Sequence, residues 1–385
     1  MTVLVLAILM VCLGISVLFA TGSWSPATGD TVEGELTPDD CDTDCGAVLR
    51  ASIEALDAGE TLQIAPGTYD IGKVSIDDVG GTAEEPIVVT ASDLGERPQL
   101  VGHLLLTRPD HLRLDGLDLR ADVQGDPALA VRCGVGWEVT RSDFSGASET
   151  KAFSNLLVSG TQPGAPNPDG NIACEDEPRD FLIAGNCLSD PYVDPDLDQH
   201  PDPRQRTQRN WYHNLYLSFE GSGRTSGTVE RNIFTGNANG SGVKLGAGRD
   251  NPWGPDNVVV ANNTFVSGRT GVVLTETVND NTLVGNLFDD LEGEVAAGEG
   301  VAVFPHNLDG SGNEVSHSLA YDVGVIVAAP VEGDSVIDGV DNRVVDGDPD
   351  FVTRDDEPTS CRDFDPRDPR ADAYGRYGSG EFEAP

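Results

Sequence analysis

The sequence predicts an all-β solenoid, and three observations carry that prediction. A glycine-led strand pattern recurs as Gly242-Val243-Lys244-Leu245, Gly271-Val272-Val273-Leu274, Gly300-Val301-Ala302-Val303 and Gly324-Val325-Ile326-Val327, with His213-Asn214-Leu215-Tyr216-Leu217 as an earlier member. The glycines fall 29, 29 and 24 residues apart. Between these strands lies an Asn-x-aromatic pattern: Asn232-Ile233-Phe234, Asn263-Thr264-Phe265 and Asn286-Leu287-Phe288. Two interleaved patterns on one irregular period mark a chain coiled into stacked rungs.

The rungs are strands because apolar residues alternate with period two and Gly and Asn punctuate them. No unit holds enough helical periodicity for a helical repeat. Taking Val243 and Leu245 as inward also buries Leu215 and Leu217, Val272 and Leu274, Val301 and Val303, and Val325 and Val327. The asparagines precede an inward aromatic and mark sharp bends, where Asn tolerates left-handed backbone and can bond to the next Asn in a stack. Asn186 heads an earlier rung, and His317 a degenerate later one.

Composition bounds the function. The chain has 385 residues with 24 Lys and Arg against 65 Asp and Glu, a net charge of −41. That makes nucleic acid and anionic membrane surfaces poor partners. Lysine occurs only at Lys73, Lys151 and Lys244. A cation-rich setting and a biased genome composition both account for so acidic a surface. Residues 1–20 are almost wholly apolar after Met1 and read as a signal peptide or an N-terminal membrane anchor. Cys12 lacks the small residues expected before a lipidated cysteine. Setting it aside leaves six cysteines, an even number suited to a secreted or surface-held protein. Fifteen pairings are open. We expect Cys174 with Cys187, Cys41 with Cys45 and, by elimination, Cys133 with Cys361. The chain is expected to be monomeric.

In order, residues 21–45 read as an acidic linker. Residues 46–58 have helical spacing at Val48, Leu49, Ile53 and Leu56, which predicts an N-terminal capping helix over the open end of the solenoid. Residues 46–353 form the solenoid, with rungs at 128–158 and long loops at 159–212 around Asn186, expected to wall a cleft. Residues 354–385 are a charged, Pro-rich tail, expected to pack loosely around the last coil.

The segment Gly59-Glu60-Thr61-Leu62-Gln63-Ile64-Ala65-Pro66-Gly67-Thr68-Tyr69 is followed by Gly81-Thr82-Ala83-Glu84-Glu85-Pro86-Ile87-Val88-Val89-Thr90-Ala91. With Pro98-Gln99-Leu100-Val101-Gly102 and His111-Leu112-Arg113-Leu114-Asp115-Gly116-Leu117, it resembles the opening coils of the pectate-lyase-like superfamily. It is most similar to the chondroitinase B and alginate lyase group. Gly347-Asp348-Pro349-Asp350-Phe351 is similar to the ending of such proteins. The resemblance implies a single-stranded right-handed parallel β-helix, the pectin-lyase-like solenoid, of roughly ten coils. It also implies a polysaccharide partner and lyase chemistry with a Lys or Arg base, in many cases with Ca²⁺. The Lys and Arg motifs of that group are not found at their usual contexts, so the site residues are read from the strand register.

That register puts Tyr216 and Lys244 outward on adjacent coils, about 4.8 Å apart. Glu220, Thr275, Phe304 and His306 share the face, Glu276 lies at its edge, His213 at the bend before Tyr216, and Arg224 and Arg231 on the turn and strand that follow. β-Elimination from a uronate needs a cation on the carboxylate, a base for the adjacent proton and an acid for the leaving oxygen. From sequence, Lys244 is the base, Tyr216 the acid, and Arg224 or Ca²⁺ the neutralising charge, with His213 a further catalytic candidate. Thr275, Glu276, Glu220, Phe304 and His306 are candidate substrate contacts. Asp194-x-Asp196-x-Asp198 is similar to the start of a calcium loop, without Gly at position six or Glu at twelve, where Gln205 stands. Glu220 and Glu276 would serve a glycosidase alternative. An epimerase, or a non-catalytic carbohydrate-binding or surface-structural β-helix, remains the other reading of the same scaffold.

Overall fold

The computed structural model describes residues 32–41, 44–161, 174, 178–192, 212–220, 225–236, 240–246, 254–291, 300–306, 308–329, 337–351 and 364–376. They form a parallel β-helix. Each coil contributes one strand to each of three faces in turn. The first face is an 11-stranded sheet running from Val32–Leu36 to Asp338–Val340. The other two faces share a 17-stranded hydrogen-bonded network, because the early strands Thr68–Asp77 and Gln99–Thr107 pass around the corner between them. The second face continues through Ile233–Thr235, Thr264–Gly268 and Leu287–Leu291. The third runs through Leu129–Arg132, Ser154–Thr161, Tyr212–Glu220, Gly240–Leu245, Thr270–Thr275 and Val301–His306.

The bend between the first and second faces is held by a buried asparagine ladder. Asn186, Asn232, Asn263 and Asn286 stack, each Nδ2 donating to the Oδ1 of the next at 3.0, 3.0 and 3.2 Å. Each Nδ2 also donates to a backbone carbonyl of the coil behind, those of Val139, Ile183, Val229 and Val260. The backbone N–H groups of the first three take the same Oδ1 atoms. The left-handed residue is not the ladder Asn but the one before it: Gly185, Arg231, Asn262 and Gly285 all have φ between 53° and 68°. The same correction moves the later rung from His317 to Ser318. His317 is left-handed at φ 48°, and Ser318 N–H donates to Asn342 Oδ1 at 3.0 Å.

The aromatics after the ladder point inward and stack. Phe234, Phe265 and Phe288 lie with ring centroids 4.9 and 5.0 Å apart. This stack explains the repeating glycine. A Cβ on Gly242 would meet Phe265 at 2.5 Å, and one on Gly271 would collide with Phe288. The register partner of Gly271 is Ala302, since Val272 pairs with Val303, so Gly300 lies two positions out of the expected alignment. There the facing position has shrunk from Phe288 to Ala320, and a methyl group fits. At the last coil Val325 is 37 % exposed rather than inward and Ile326 is buried instead, on a strand paired on one side only.

The helix forms at Cys45–Glu54, capped by Asp44, whose side chain accepts from the Ala47 N–H at 2.9 Å. Leu49 and Ile53 bury against the core, and Gly46 lets the helix approach the backbone of Ile71. The helix thus covers Thr68–Asp77, the first strand of the second and third faces. Part of the expected linker is structured: Val32–Leu36 pairs in parallel with Thr61–Ile64 and opens the first sheet. The tail also differs from expectation. Phe364, Ala371 and Tyr374 pack on Ile233, Val266, Leu287 and Tyr321, and the Arg376 N–H donates to Thr264 Oγ1 at 3.0 Å. The C-terminal segment therefore lies back across several coils and covers the outside of the second face.

Cys41 pairs with Cys45 as expected. Cys174 pairs with Cys133, not with Cys187. Cys133 ends the Leu129–Arg132 strand, and Cys174 Sγ lies against Gly160 on the adjacent strand, so the two meet across neighbouring coils. Cys187 is disulfide-bonded to a partner outside the described residues. Among the described residues no helix is long and apolar enough to cross a membrane. Residues 1–20 lie outside them.

The ladder sets a test. Asn263→Ala would remove the Asn263 partner of one Asn232 Nδ2 proton, of the Asn232 N–H and of the Val229 carbonyl in a dry corner. At about 1–3 kcal/mol for each orphaned group, the variant should lose about 3 kcal/mol or more of unfolding free energy, read from the denaturant midpoint at unchanged slope. An outward Thr282→Ala on the first face should change it by less than about 0.5 kcal/mol.

Candidate functional site

The outer surface of the third face carries the site. Parallel register places Leu157, Tyr216, Lys244, Val273 and Phe304 in one outward column. Tyr216 and Lys244 are direct neighbours, as the sequence register requires. Lys244 Nζ sits over the Tyr216 ring, 4.6 Å from its centroid, a cation–π geometry. Among the described residues Lys244 has no carboxylate partner.

A second outward column lies two residues along each strand. It comprises Ser159, Ser218, Gly246, Thr275 and His306, joined by the pairs Ser159–Ser218 and Thr275–His306 and by the Gly246 N–H donating to the Leu217 carbonyl at 3.1 Å. Gly246 is the floor of the site. A Cβ there would collide with Thr275 Oγ1 and stand 3.4 Å from Lys244 Cε. The Thr275 hydroxyl and the Lys244 stem therefore converge over a position that only glycine leaves open. Thr275 is 4 % exposed, and its Oγ1 has no hydrogen-bond partner among the described residues. A buried hydroxyl in that state is costly unless something else engages it.

His213 is not at a bend but inside the strand Tyr212–Glu220, buried, with its ring 5.5 Å from that of Tyr216. Its Nδ1 contacts Ser241 Oγ at 2.9 Å and accepts from the Ser241 N–H at 3.3 Å. Accepting a backbone N–H at Nδ1 puts the ring proton on Nε2. His213 thus buttresses Tyr216 with no basic lone pair directed at the groove through Nδ1. His306 and Phe304 lie at the C-terminal side, rings 5.7 Å apart, both partly exposed. Glu276 follows Thr275 at φ 56°, with its carbonyl accepting from Asp309 and Gly310. It borders the site. Arg231 is exposed at the bend between the first and second faces, away from this column.

Arg224, the acidic triplet at Asp194, Asp196 and Asp198, and Gln205 lie outside the described residues, as does the Glu220 side chain. Most of the loop segment 159–212 does too. Among the described residues no group of three or more His, Cys, Asp and Glu side chains could hold a metal ion. A concavity of about 630 Å³ lies at the N-terminal end, between the capping helix and Thr68–Asp77, lined by Arg50, Asp70 and Lys73 among others. It is several coils from Lys244.

Arg132 is a residue that the sequence reading passed over. It closes the Leu129–Arg132 strand and pairs with Ser159, so it belongs to the hydroxyl-lined column. The signal was present: Arg132 occupies the strand position that His306 occupies in Val301–His306.

No family model matches the chain, and no curated protein matches it. Among solved structures it is similar to pectate lyase Pel9A, at 14% identity over 85% of this chain and 84% of that one, with a TM-score of 0.45. An alginate lyase from Paenibacillus sp. str. FPU-7 is similar at 13% identity over 81% of this chain and 99% of that one, TM-score 0.44. A mannuronic acid specific polysaccharide family 6 lyase from human gut microbiota is similar at 13% identity over 81% and 83%, TM-score 0.41. The likeness is one of fold and assigns no residue, substrate or activity to this chain.

Proposed function

We propose that the protein is a secreted or surface-held enzyme that acts on an acidic polysaccharide by β-elimination at Tyr216 and Lys244. One observation carries the reading: a lysine without a carboxylate partner among the described residues, a tyrosine and a buried hydroxyl with no hydrogen-bond partner among them converge over Gly246. Such a set suits a ligand that brings both negative charge and hydrogen-bonding groups. The resemblance of the opening coils points to the same substrate class. The Cys41–Cys45 and Cys133–Cys174 disulfides support an oxidising compartment.

The roles follow from the geometry. It is the ammonium form of Lys244 that the Tyr216 ring face attracts. We therefore assign Lys244 to the uronate carboxylate, whose charge grows in the transition state, rather than to proton removal as the sequence alone suggested. Tyr216 then moves the proton. Once its phenol proton has passed to solvent water, its oxygen takes the proton beside the carboxylate. The electron pair forms the new C=C bond, the glycosidic C–O bond breaks, and the proton passes to the leaving oxygen. Thr275 holds a substrate hydroxyl or carboxylate oxygen. The buried His213–Ser241 pair fixes the Tyr216 ring. No step is routed through Ca²⁺, for which the described residues offer no ligand cluster.

The direct test is absorbance near 235 nm, where the unsaturated uronate product absorbs, with alginate, pectate and chondroitin as substrates. A rise is expected on at least one. No rise on any of them sinks the elimination reading and leaves a carbohydrate-binding protein. Lys244→Arg separates the two lysine roles. As a charge it should keep activity within about tenfold, while Lys244→Ala should lose about a hundredfold or more, the range for removing one transition-state contact. Equal loss in both variants would return Lys244 to the role of base. Gly246→Ala, with its fold checked by circular dichroism, should lose about as much kcat/KM as Lys244→Ala, since its methyl group displaces Thr275 and the lysine stem together. Unchanged kinetics in that variant would remove this floor from the site.

A further inference from the structure

We propose that Arg132 and Thr107 form a second anion-binding position, so that one extended polyanion lies along the solenoid axis with its acidic groups held by Arg132 and by Lys244. This deepens the reading above, on which it rests for the class of ligand.

The observations are independent of the Tyr216–Lys244 cluster. Thr107 pairs in register with Arg132, and Arg132 with Ser159. Thr107 is 1 % exposed, and its Oγ1 has no hydrogen-bond partner among the described residues. Arg132 Nε is likewise buried and unpartnered among them. Several other cations of the early coils are tied to acids. Lys73 meets Asp126 at 2.7 Å, Arg108 meets Asp78 at 2.6 Å, Arg113 meets Glu138 at 2.6 Å, and Arg120 meets Glu149 at 2.7 Å. Arg141 is held by Asp115. With 65 carboxylates in the chain, a partly buried arginine that no described acid has captured is a position kept for an outside anion. A guanidinium beside a hydroxyl suits a carboxylate, which can take two parallel N–H bonds.

The spacing defines the ligand. Arg132 and Lys244 stand on strands three steps apart in the third face, through Ser154–Thr161 and Tyr212–Glu220. At about 4.8 Å per step that is roughly 14 Å along the axis. The residues between them in the hydroxyl column are Ser159 and Ser218, small enough to keep the floor low and polar enough to bond sugar hydroxyls. A disaccharide is too short to reach both cations. A hexasaccharide with regularly placed carboxylates reaches both.

The test is calorimetric titration with alginate and polygalacturonate oligosaccharides, disaccharide against hexasaccharide, in a Tyr216→Phe background that prevents turnover. Arg132→Gln should weaken hexasaccharide binding roughly tenfold or more, the effect of one charge-assisted contact, and leave the disaccharide unchanged. In the higher salt range, where contact charges are screened, the fall of affinity with rising salt should also be shallower for the hexasaccharide in that variant. Thr107→Val, which keeps the arginine and the shape, should show the same length dependence at smaller size. Hexasaccharide binding unchanged by Arg132→Gln, an equal loss for both lengths, or no preference of the parent protein for the longer oligomer overturns the proposal. The two readings fail separately. A rise at 235 nm with Arg132→Gln silent keeps the lyase and removes the second position. A length-dependent loss without any rise keeps the second position and removes the elimination.

Discussion

The structure depends on what happens at one bend in each coil. There the chain must reverse direction between the first and second faces without burying an unsatisfied amide. A left-handed residue makes the bend, and the Asn after it turns its side chain inward to serve three backbone and side-chain partners at once. Because each Asn is bonded to the next, every bend is placed directly over the one before. The strands on either side then start in register, and the columns on all three faces follow. The period can vary because insertions enter on the loop side of a coil while the ladder holds the bend fixed.

That fixed stacking is also what makes a site possible. Side chains far apart in sequence, such as Tyr216 and Lys244, are set one strand step apart with no help from their own loops. The three faces are not equivalent, however. The second is covered by Phe364, Ala371 and Tyr374 from the C-terminal segment. The third carries the small polar column from Thr107 to Thr275, with two cations that no described acid engages. In that column Thr107, Arg132 and Thr275 each keep a buried polar atom with no hydrogen-bond partner among the described residues, which stability alone does not explain.

Much of this was legible in the sequence. The Gly-Val and Asn-x-aromatic patterns carry real contacts: the glycine makes room for the phenylalanine across the interior, so the two patterns must interleave. That logic put Tyr216 beside Lys244. It failed at Gly300 for a physical reason, since the aromatic stack ends at Ala320 and the glycine is no longer required where Ala302 stands. The bend was read on the asparagine because the left-handed residue before it varies among Gly, Arg and Asn, and only the ladder partner is constant. The C-terminal cover was illegible because its apolar anchors are scattered through a charged, Pro-rich stretch with no period. Cys133–Cys174 could not be read because proximity across coils depends on loop lengths that set which rungs are adjacent. Thr107 and Arg132 were missed because the early coils were matched as fold motifs and their outward positions were not followed.

Electrostatics then constrains how such a surface can work. At a net charge of −41 the whole molecule repels a polyanion at distances beyond the site, whereas Lys244 and Arg132 attract it only at contact. Long-range repulsion falls off over the Debye length, about 10 Å at 0.1 M salt, and bonds made in partly buried positions are screened much less. Raising salt from a low value should therefore speed the approach of an acidic polysaccharide more than it weakens the bound state, and only at higher salt should the contact charges lose ground. This is opposite in sign to the behaviour of a basic protein meeting a polyanion, where salt slows encounter from the start. The acidic surface thus selects against brief, non-specific adhesion to anionic polymer and leaves recognition to the few places where a cation and an unpartnered hydroxyl stand together.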